Sequence, residues 1–233
     1  MKKLAIFVEG LTEAIILRKL IAEIAGRKNI QIDSCELRGG NRAIGHRINL
    51  KATDHFTNKK YYALIIDCGA DNSVASDIKD NYETMCRSGF HVILGLRDIY
   101  PLNRVDISRL RRGFFFGLKT KPLTPHLILA IMEIEAWFIG EYTHFSKLDQ
   151  SLTVERINRQ LGFDPVNDDL ELLEHPSANL HDAYQLVSKA YRKNRRVIQR
   201  TANLLDFDLI YLEVSRRFNE LGNLTSIIDH FLS

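Results

Sequence analysis

The sequence predicts an α/β protein with a Rossmann-like, mostly parallel sheet flanked by helices, followed by a C-terminal helical annex. Three observations lead there. Short apolar runs at residues 4–8, 61–66 and 91–96 are rich in Ile, Val, Leu and Phe, as strands buried on both faces of a parallel sheet are. Segments with helical spacing of apolar residues separate those runs, which is the sign of β-α-β units. Beyond residue 142 only helical periodicity is present. The expected division is an α/β domain over 1–141 and a helical annex over 142–233.

Residues 4–8 form the first expected strand, and residues 11–26 follow as a helix. Its apolar positions Ile15, Ile16, Leu20 and Ile24 share a face, with Thr12 as cap and Gly26 at the stop. Residues 30–37 alternate like a strand nearer an edge and end in Arg38-Gly39-Gly40-Asn41, after which a helix is expected through Asp54. The strand at 61–66 ends at Asp67-Cys68-Gly69, and a helix from Ser73 to Arg87 closes at Gly89. The strand at 91–96 ends at Arg97-Asp98-Ile99-Tyr100-Pro101, where proline stops regular pairing. Further strands are expected at 114–118 and 126–132, with a helix from Glu133. In the annex, 154–161, 180–191, 209–218 and 224–231 carry helical periodicity.

Composition narrows the function classes. The net charge of +3 is too small to identify a partner, so any basic patch has to be local. Cys35, Cys68 and Cys86 are odd in number and lack C-x-x-C spacing, which argues against a disulfide framework or a zinc knuckle. No apolar run reaches the roughly 20 residues that span a bilayer, and the N-terminal apolar run stops at Glu9 without a cleavage site. A cytoplasmic protein with no membrane partner is expected.

The chemistry-bearing pattern is a strand, then Glu9-Gly10, then Thr12-Glu13 and a helix. It sets a carboxylate where the chain leaves the sheet. Asp67 and Asp98 stand in equivalent places after later strands, so Glu9, Asp67 and Asp98 are candidate metal ligands. Clustered carboxylates repel unless protonated or neutralised by a cation, and oxygen donors of this kind suit Mg²⁺, with Mn²⁺ as an alternative. Such an ion would bind a scissile phosphate and activate water. Asp67 is equally suited to cap the turn through Gly69, and Glu133 and Glu135 to be first-turn helix acids.

Val8-Glu9-Gly10-Leu11-Thr12-Glu13 resembles the first motif of TOPRIM domains, found in topoisomerases, bacterial primases and overcoming-lysogenization-defect nucleases. The resemblance covers roughly the first half of the chain. It implies acid-base or metal chemistry at Glu9 with help from Glu13, Mg²⁺ at an Asp-x-Asp pair, and DNA or RNA as substrate. Asp98-Ile99-Tyr100 keeps the first aspartate of that pair and has tyrosine at the second; Asp67 or Asp71 is the candidate replacement. Met132-Glu133-Ile134-Glu135-Ala136-Trp137-Phe138 is similar to a motif of uncharacterised TOPRIM-related bacterial proteins, some linked to phage defence. That likeness makes Glu133 a further catalytic candidate and admits a protein partner from a defence system. A catalytically inactive TOPRIM-like binding module is the alternative.

Two basic segments are candidate nucleic-acid contacts. Arg38 and Arg42, with His46 and Arg47, surround the Gly-Gly turn. Lys189, Arg192, Lys193, Arg195 and Arg196 form a denser run, with Tyr184 as a stacking candidate, though it also suits a solvated helix face. Arg104, Arg109, Arg111 and Arg112 follow the Asp98 loop and are placed to steer an anionic substrate.

Overall fold

A computed structural model describes residues 1–38, 47–52, 59–69 and 73–233, which form two compact units. The first comprises Met1–Arg97, Val105–Leu129 and Ser226–Ser233; the second comprises Asp98–Arg104 and Ala130–Thr225. Both units are discontinuous in sequence. The expected boundary at residue 141 is linear, whereas the chain crosses between units four times.

The first unit is an α/β layer built on β1 (Lys2–Val8), β2 (Ile30–Arg38), β3 (Arg47–Ala52), β4 (Tyr61–Asp67), β5 (Val92–Asp98) and β6 (His126–Ala130). The strand order is β3-β2-β4-β1-β5-β6. β2, β4, β1 and β5 run parallel, and β3 is antiparallel to β2. Parallel neighbours need crossover connections, which α1 (Leu11–Ala25) supplies after β1 and α2 (Val74–Arg87) after β4. β1 lies between β4 and β5, and its residues Leu4 to Val8 are fully buried. Each of its larger apolar side chains contributes about 1.5–3 kcal/mol by leaving water.

Three expectations for this unit are corrected. β3 is a strand where a helix was expected: Ile48, Leu50 and Ala52 alternate with polar residues, and Ile48 and Leu50 oppose Leu37 and Cys35 of β2. That moves the edge from β2 to β3. Residues 107–115 form α3 (Ile107–Phe115) where a strand was expected from 114; only Phe114 of the three consecutive phenylalanines is buried, so one side chain per turn meets the core. Gly10, and not Thr12, is the N-cap of α1, and Thr12 is buried. The stop at Gly26 holds, with φ +53 and its N–H donating to the carbonyls of Ala22 and Glu23.

The second unit is helical. It contains α4 (Glu135–Gly140), α5 (Thr143–Leu148), α6 (Val154–Leu161), α7 (Pro176–Gln185), α8 (Arg195–Leu204), α9 (Phe207–Leu209), a π-helical turn (Ile210–Val214) and α10 (Ser215–Arg217). The first part of α11 (Asn219–Phe231) also belongs to it. Thr153 caps α6 by accepting from the Arg156 N–H, and Asn194 caps α8 by accepting from the Val197 N–H. Trp137, Phe138, Phe145, Tyr184 and Phe218 fill its core. Gly140 lets Phe218, and Val214 of the π-helical turn, close in, since a β-carbon there would stand 2.8 Å from the Phe218 ring and 3.3 Å from Val214. No described helix is long and apolar enough to cross a membrane.

Two tests follow from the first unit. A β-carbon at Gly95 of β5 would meet Phe114, Val74 and Ile78 at 3.0–3.1 Å, so Gly95→Ala overpacks the face of β5 covered by α2 and α3. A loss of about 1–3 kcal/mol is expected in urea unfolding; an unchanged midpoint would contradict this packing. Burial raises the thiol pKa of Cys35, to about 12, and that of Cys68, with nearby carboxylates adding to the effect. Near neutral pH a thiolate-specific reagent should therefore label Cys86, which is partly exposed, and spare the other two until the chain unfolds.

Candidate metal centre

The second unit brings three carboxylates together at the start of α4. After Asp98, the Ile99 N–H donates to the Ala130 carbonyl at 3.1 Å and the Tyr100 N–H to the Met132 carbonyl at 2.8 Å. Residues 98–100 are thereby held alongside 130–132. Met132 then takes a left-handed conformation, φ 60, which costs an L-residue about 1–2 kcal/mol and bends the chain into α4. Asp98 Oδ1 accepts from the Ile134 N–H at 3.0 Å, closing the other side of this bend.

Each carboxylate has a distinct donor. Asp98 satisfies an amide at the start of α4, and Glu133 Oε2 accepts from the Ser177 N–H at 2.8 Å, in the first turn of α7. Glu135 has no exposed surface, and its Oε1 accepts from the Tyr191 hydroxyl at 2.7 Å. One oxygen from each of Asp98, Glu133 and Glu135 lies within 4.8 Å of the other two.

Lys193 supplies the opposing charge. Its Nζ is 3.1 Å from Glu133 Oε1, 3.3 Å from Glu135 Oε2 and 4.0 Å from Asp98 Oδ2. Burial pushes the Glu135 carboxyl above the usual range and Glu133 adds to this, while Lys193 and Tyr191 oppose it. For Lys193, desolvation acts to lower the pKa, but the carboxylates of Glu135, Asp98 and Glu133 together hold it above the ordinary lysine value. Counted at formal charge, three carboxylates and one ammonium sum to −2.

The residues fit a divalent cation. All donors are oxygens, as Mg²⁺ and Mn²⁺ prefer. Glu135 Oε2 is buried and accepts no hydrogen bond, its charge being met by the Lys193 ammonium at 3.3 Å.

Of the candidate site residues named from the sequence, Asp98 and Glu133 belong to this centre, and Glu135, noted beside Glu133 as a first-turn helix acid, completes it. Glu9, Glu13 and Asp67 belong to the first unit. Glu9 is buried with its Oε1 3.3 Å from Arg97 Nε, an arrangement set by the register in which Val8 opposes Leu96. Glu13 is buried in the first turn of α1. Asp67 Oδ1 accepts from the Gly69 N–H at 3.0 Å, with Gly69 at φ +73, which is the turn-capping role. Arg42, His46 and Asp71 lie outside the described residues, as do the side chains of Arg38 and Arg47.

The dense basic run is divided. Lys189, Arg192 and Lys193 lie in the connection between α7 and α8, and Arg195 and Arg196 open α8; all five are exposed. Tyr184 is corrected from a stacking residue to a core residue, since it is fully buried and meets Tyr191 edge-on at 6.2 Å. Arg104 donates to the carbonyls of Glu171 and Leu173 and pairs with Glu174 at 2.6 Å, so it fastens a loop of its own unit. The contacts of Lys193 and Tyr191 with the carboxylates had no sequence signal, being 60 and 56 residues from their partners.

Fold and site define an α/β protein with a helical unit that buries an acidic, lysine-bridged centre whose carboxylates could hold a metal ion. Comparison with protein-family models, curated proteins and solved structures finds no match.

Replacing Lys193 by Met leaves three close carboxylates without their ammonium. Breaking a fully buried pair costs about 3–5 kcal/mol, and the 42% exposure of the Lys193 side chain reduces the expected loss to about 1–3 kcal/mol. Thermal unfolding of Lys193→Met should show that loss, and Mg²⁺ or Mn²⁺ should raise its midpoint more than that of the wild type. Equal shifts in both proteins would mean that the ion binds elsewhere.

Proposed function

We propose that the chain is a Mg²⁺-dependent phosphodiesterase acting on DNA or RNA, with its centre at Asp98, Glu133 and Glu135. The observation that carries this reading is the convergence of three buried carboxylates within 4.8 Å. The resemblance of residues 8–13 to a TOPRIM motif supports phosphodiester chemistry but names a different glutamate, Glu9, as the acting group.

Asp98, Glu133 and Glu135 would hold the ion, Mg²⁺ or Mn²⁺. When bound, it supplies Lewis-acid polarisation of the phosphodiester and a more acidic water. The chain's own groups do the remaining work. The amides of Ile134 and Ser177 and the Tyr191 hydroxyl each hold one carboxylate in a fixed orientation, which limits reorganisation on binding. Lys193 sits on a flexible stem with 42% of its side chain exposed, so its ammonium can leave the carboxylates for a phosphoryl oxygen. Arg192, Arg195 and Arg196, exposed on the same stretch of chain, are suited to the flanking phosphates.

One observation favours a second reading. The Lys193 ammonium already lies within 4.0 Å of all three carboxylates, as a built-in cation would in a binding module that has no need of metal.

The test is cleavage of plasmid, single-stranded DNA and structured RNA with Mg²⁺ or Mn²⁺ by the wild type, Glu135→Gln, Asp98→Asn and Glu9→Gln. Cleavage reduced at least about a hundredfold in Glu135→Gln and Asp98→Asn is the expected result. Activity lost only in Glu9→Gln moves the centre to Glu9, and a wild type that binds nucleic acid without cutting it supports the binding module.

A further inference from the structure

Residues 107–125 of the first unit carry five cations, Arg109, Arg111, Arg112, Lys119 and Lys121, and no acidic residue. Within this stretch three consecutive phenylalanines, the last two residues of α3 and its C-cap Phe116, have separate fates. Phe114 is 3% exposed and anchors the helix over Gly95, whereas Phe115 is 38% and Phe116 88% exposed. Phe114 braces the Phe115 ring edge-on at 5.0 Å. Gly117, at φ +71, turns the chain directly after Phe116. Lys79 of α2 brings a further cation to this turn, its Nζ being 3.3 Å from where a β-carbon on Gly117 would stand.

An aromatic ring left in water, in a segment rich in cations and with Lys79 at the turn that follows it, complements the two features of a nucleotide, a flat base and a phosphate. Two rings offer little apolar area to a bilayer or a protein groove, but one ring face is enough for a base. A duplex keeps its base faces stacked on one another, so only an unpaired base can use that face. Arg109 is paired with Asp106 at 3.1 Å and Lys119 with Glu83, so the phosphate contacts fall chiefly to Arg112, Lys121 and Lys79.

We propose that α3 and the turn after it form a binding platform for single-stranded nucleic acid, with Phe116 stacking on an unpaired base and Arg112, Lys121 and Lys79 meeting the adjoining phosphates. This names the substrate class of the proposed phosphodiester centre and rests on that reading. Binding is measured in EDTA, so failure to bind and failure to cleave are separate results.

The full-length chain is titrated into fluorescein-labelled oligothymidylate, oligouridylate and a DNA duplex of equal length, and anisotropy is followed across a salt series. Single strands are expected to bind more tightly than the duplex. Phe116→Ala should weaken single-strand binding about tenfold or more with little change in salt slope, and Phe116→Trp should retain it. Arg112→Gln with Lys121→Gln should reduce the slope of log K against log salt by about 1.4, two single-strand phosphate contacts being lost. The proposal is overturned if Phe116→Ala binds like the wild type, if the duplex binds as tightly as the single strand, or if the chain binds phosphatidylserine vesicles and neither oligonucleotide.

Discussion

The second unit depends on how it neutralises three acids that it removes from water. Asp98, Glu133 and Glu135 are all buried, and carboxylates this close would be driven to take up protons if nothing opposed them. The chain opposes them with groups from separate elements: an amide at the start of α4, an amide in the first turn of α7, the Tyr191 hydroxyl and the Lys193 ammonium. Satisfying the acids therefore fixes where α4 and α7 begin and draws the connection before α8 onto them. The arrangement is polar at its centre and held by direction-specific bonds, so it tolerates less displacement than an apolar contact of equal size.

The first unit rests on a different constraint. Its central strand β1 has no exposed residue from Leu4 to Val8, and non-directional burial is the main term there. Its polar groups gather at the strand ends, where Glu9 meets Arg97 and Asp67 closes a turn with the Gly69 amide. Glu9 is thus a buried acid whose nearby cation comes from the neighbouring strand. In both units a strand-end acid is balanced by a basic side chain, but only the second unit gathers three acids around one ammonium among the described residues.

The cations likewise serve different ends. Arg104 is committed to backbone carbonyls and Glu174, and Arg217 donates to the carbonyls of Pro165 and Asp168. Those arginines hold loops in place. Arg192, Arg195 and Arg196 stand exposed on the chain that delivers Lys193 to the acids, and Arg112 and Lys121 are exposed in the same segment of sequence as Phe116. Net charge conceals this division, because +3 is the sum over bridged and exposed groups alike.

The sequence by itself determined the elements whose signals are local. β1, α1, β4, α2 and β5 follow from continuous apolar runs and helical spacing, and Gly26 and Gly89 mark stops because only glycine readily takes positive φ there. Asp98 was legible as a strand-end acid. Tertiary structure decided the remainder. β3 becomes a strand by pairing with β2, Phe114 and Phe115 divide between core and solvent because a helix turns successive side chains by about 100°, and Phe116 lies past the last residue of α3. The acidic centre was only half legible. Asp98, Glu133 and Glu135 could be noted from their positions, but Glu135 Oε1 meets Tyr191 across 56 residues and Glu133 meets Lys193 across 60. Charge attraction acts through space with no sequence period, so the folded chain alone determines which lysine answers which acid.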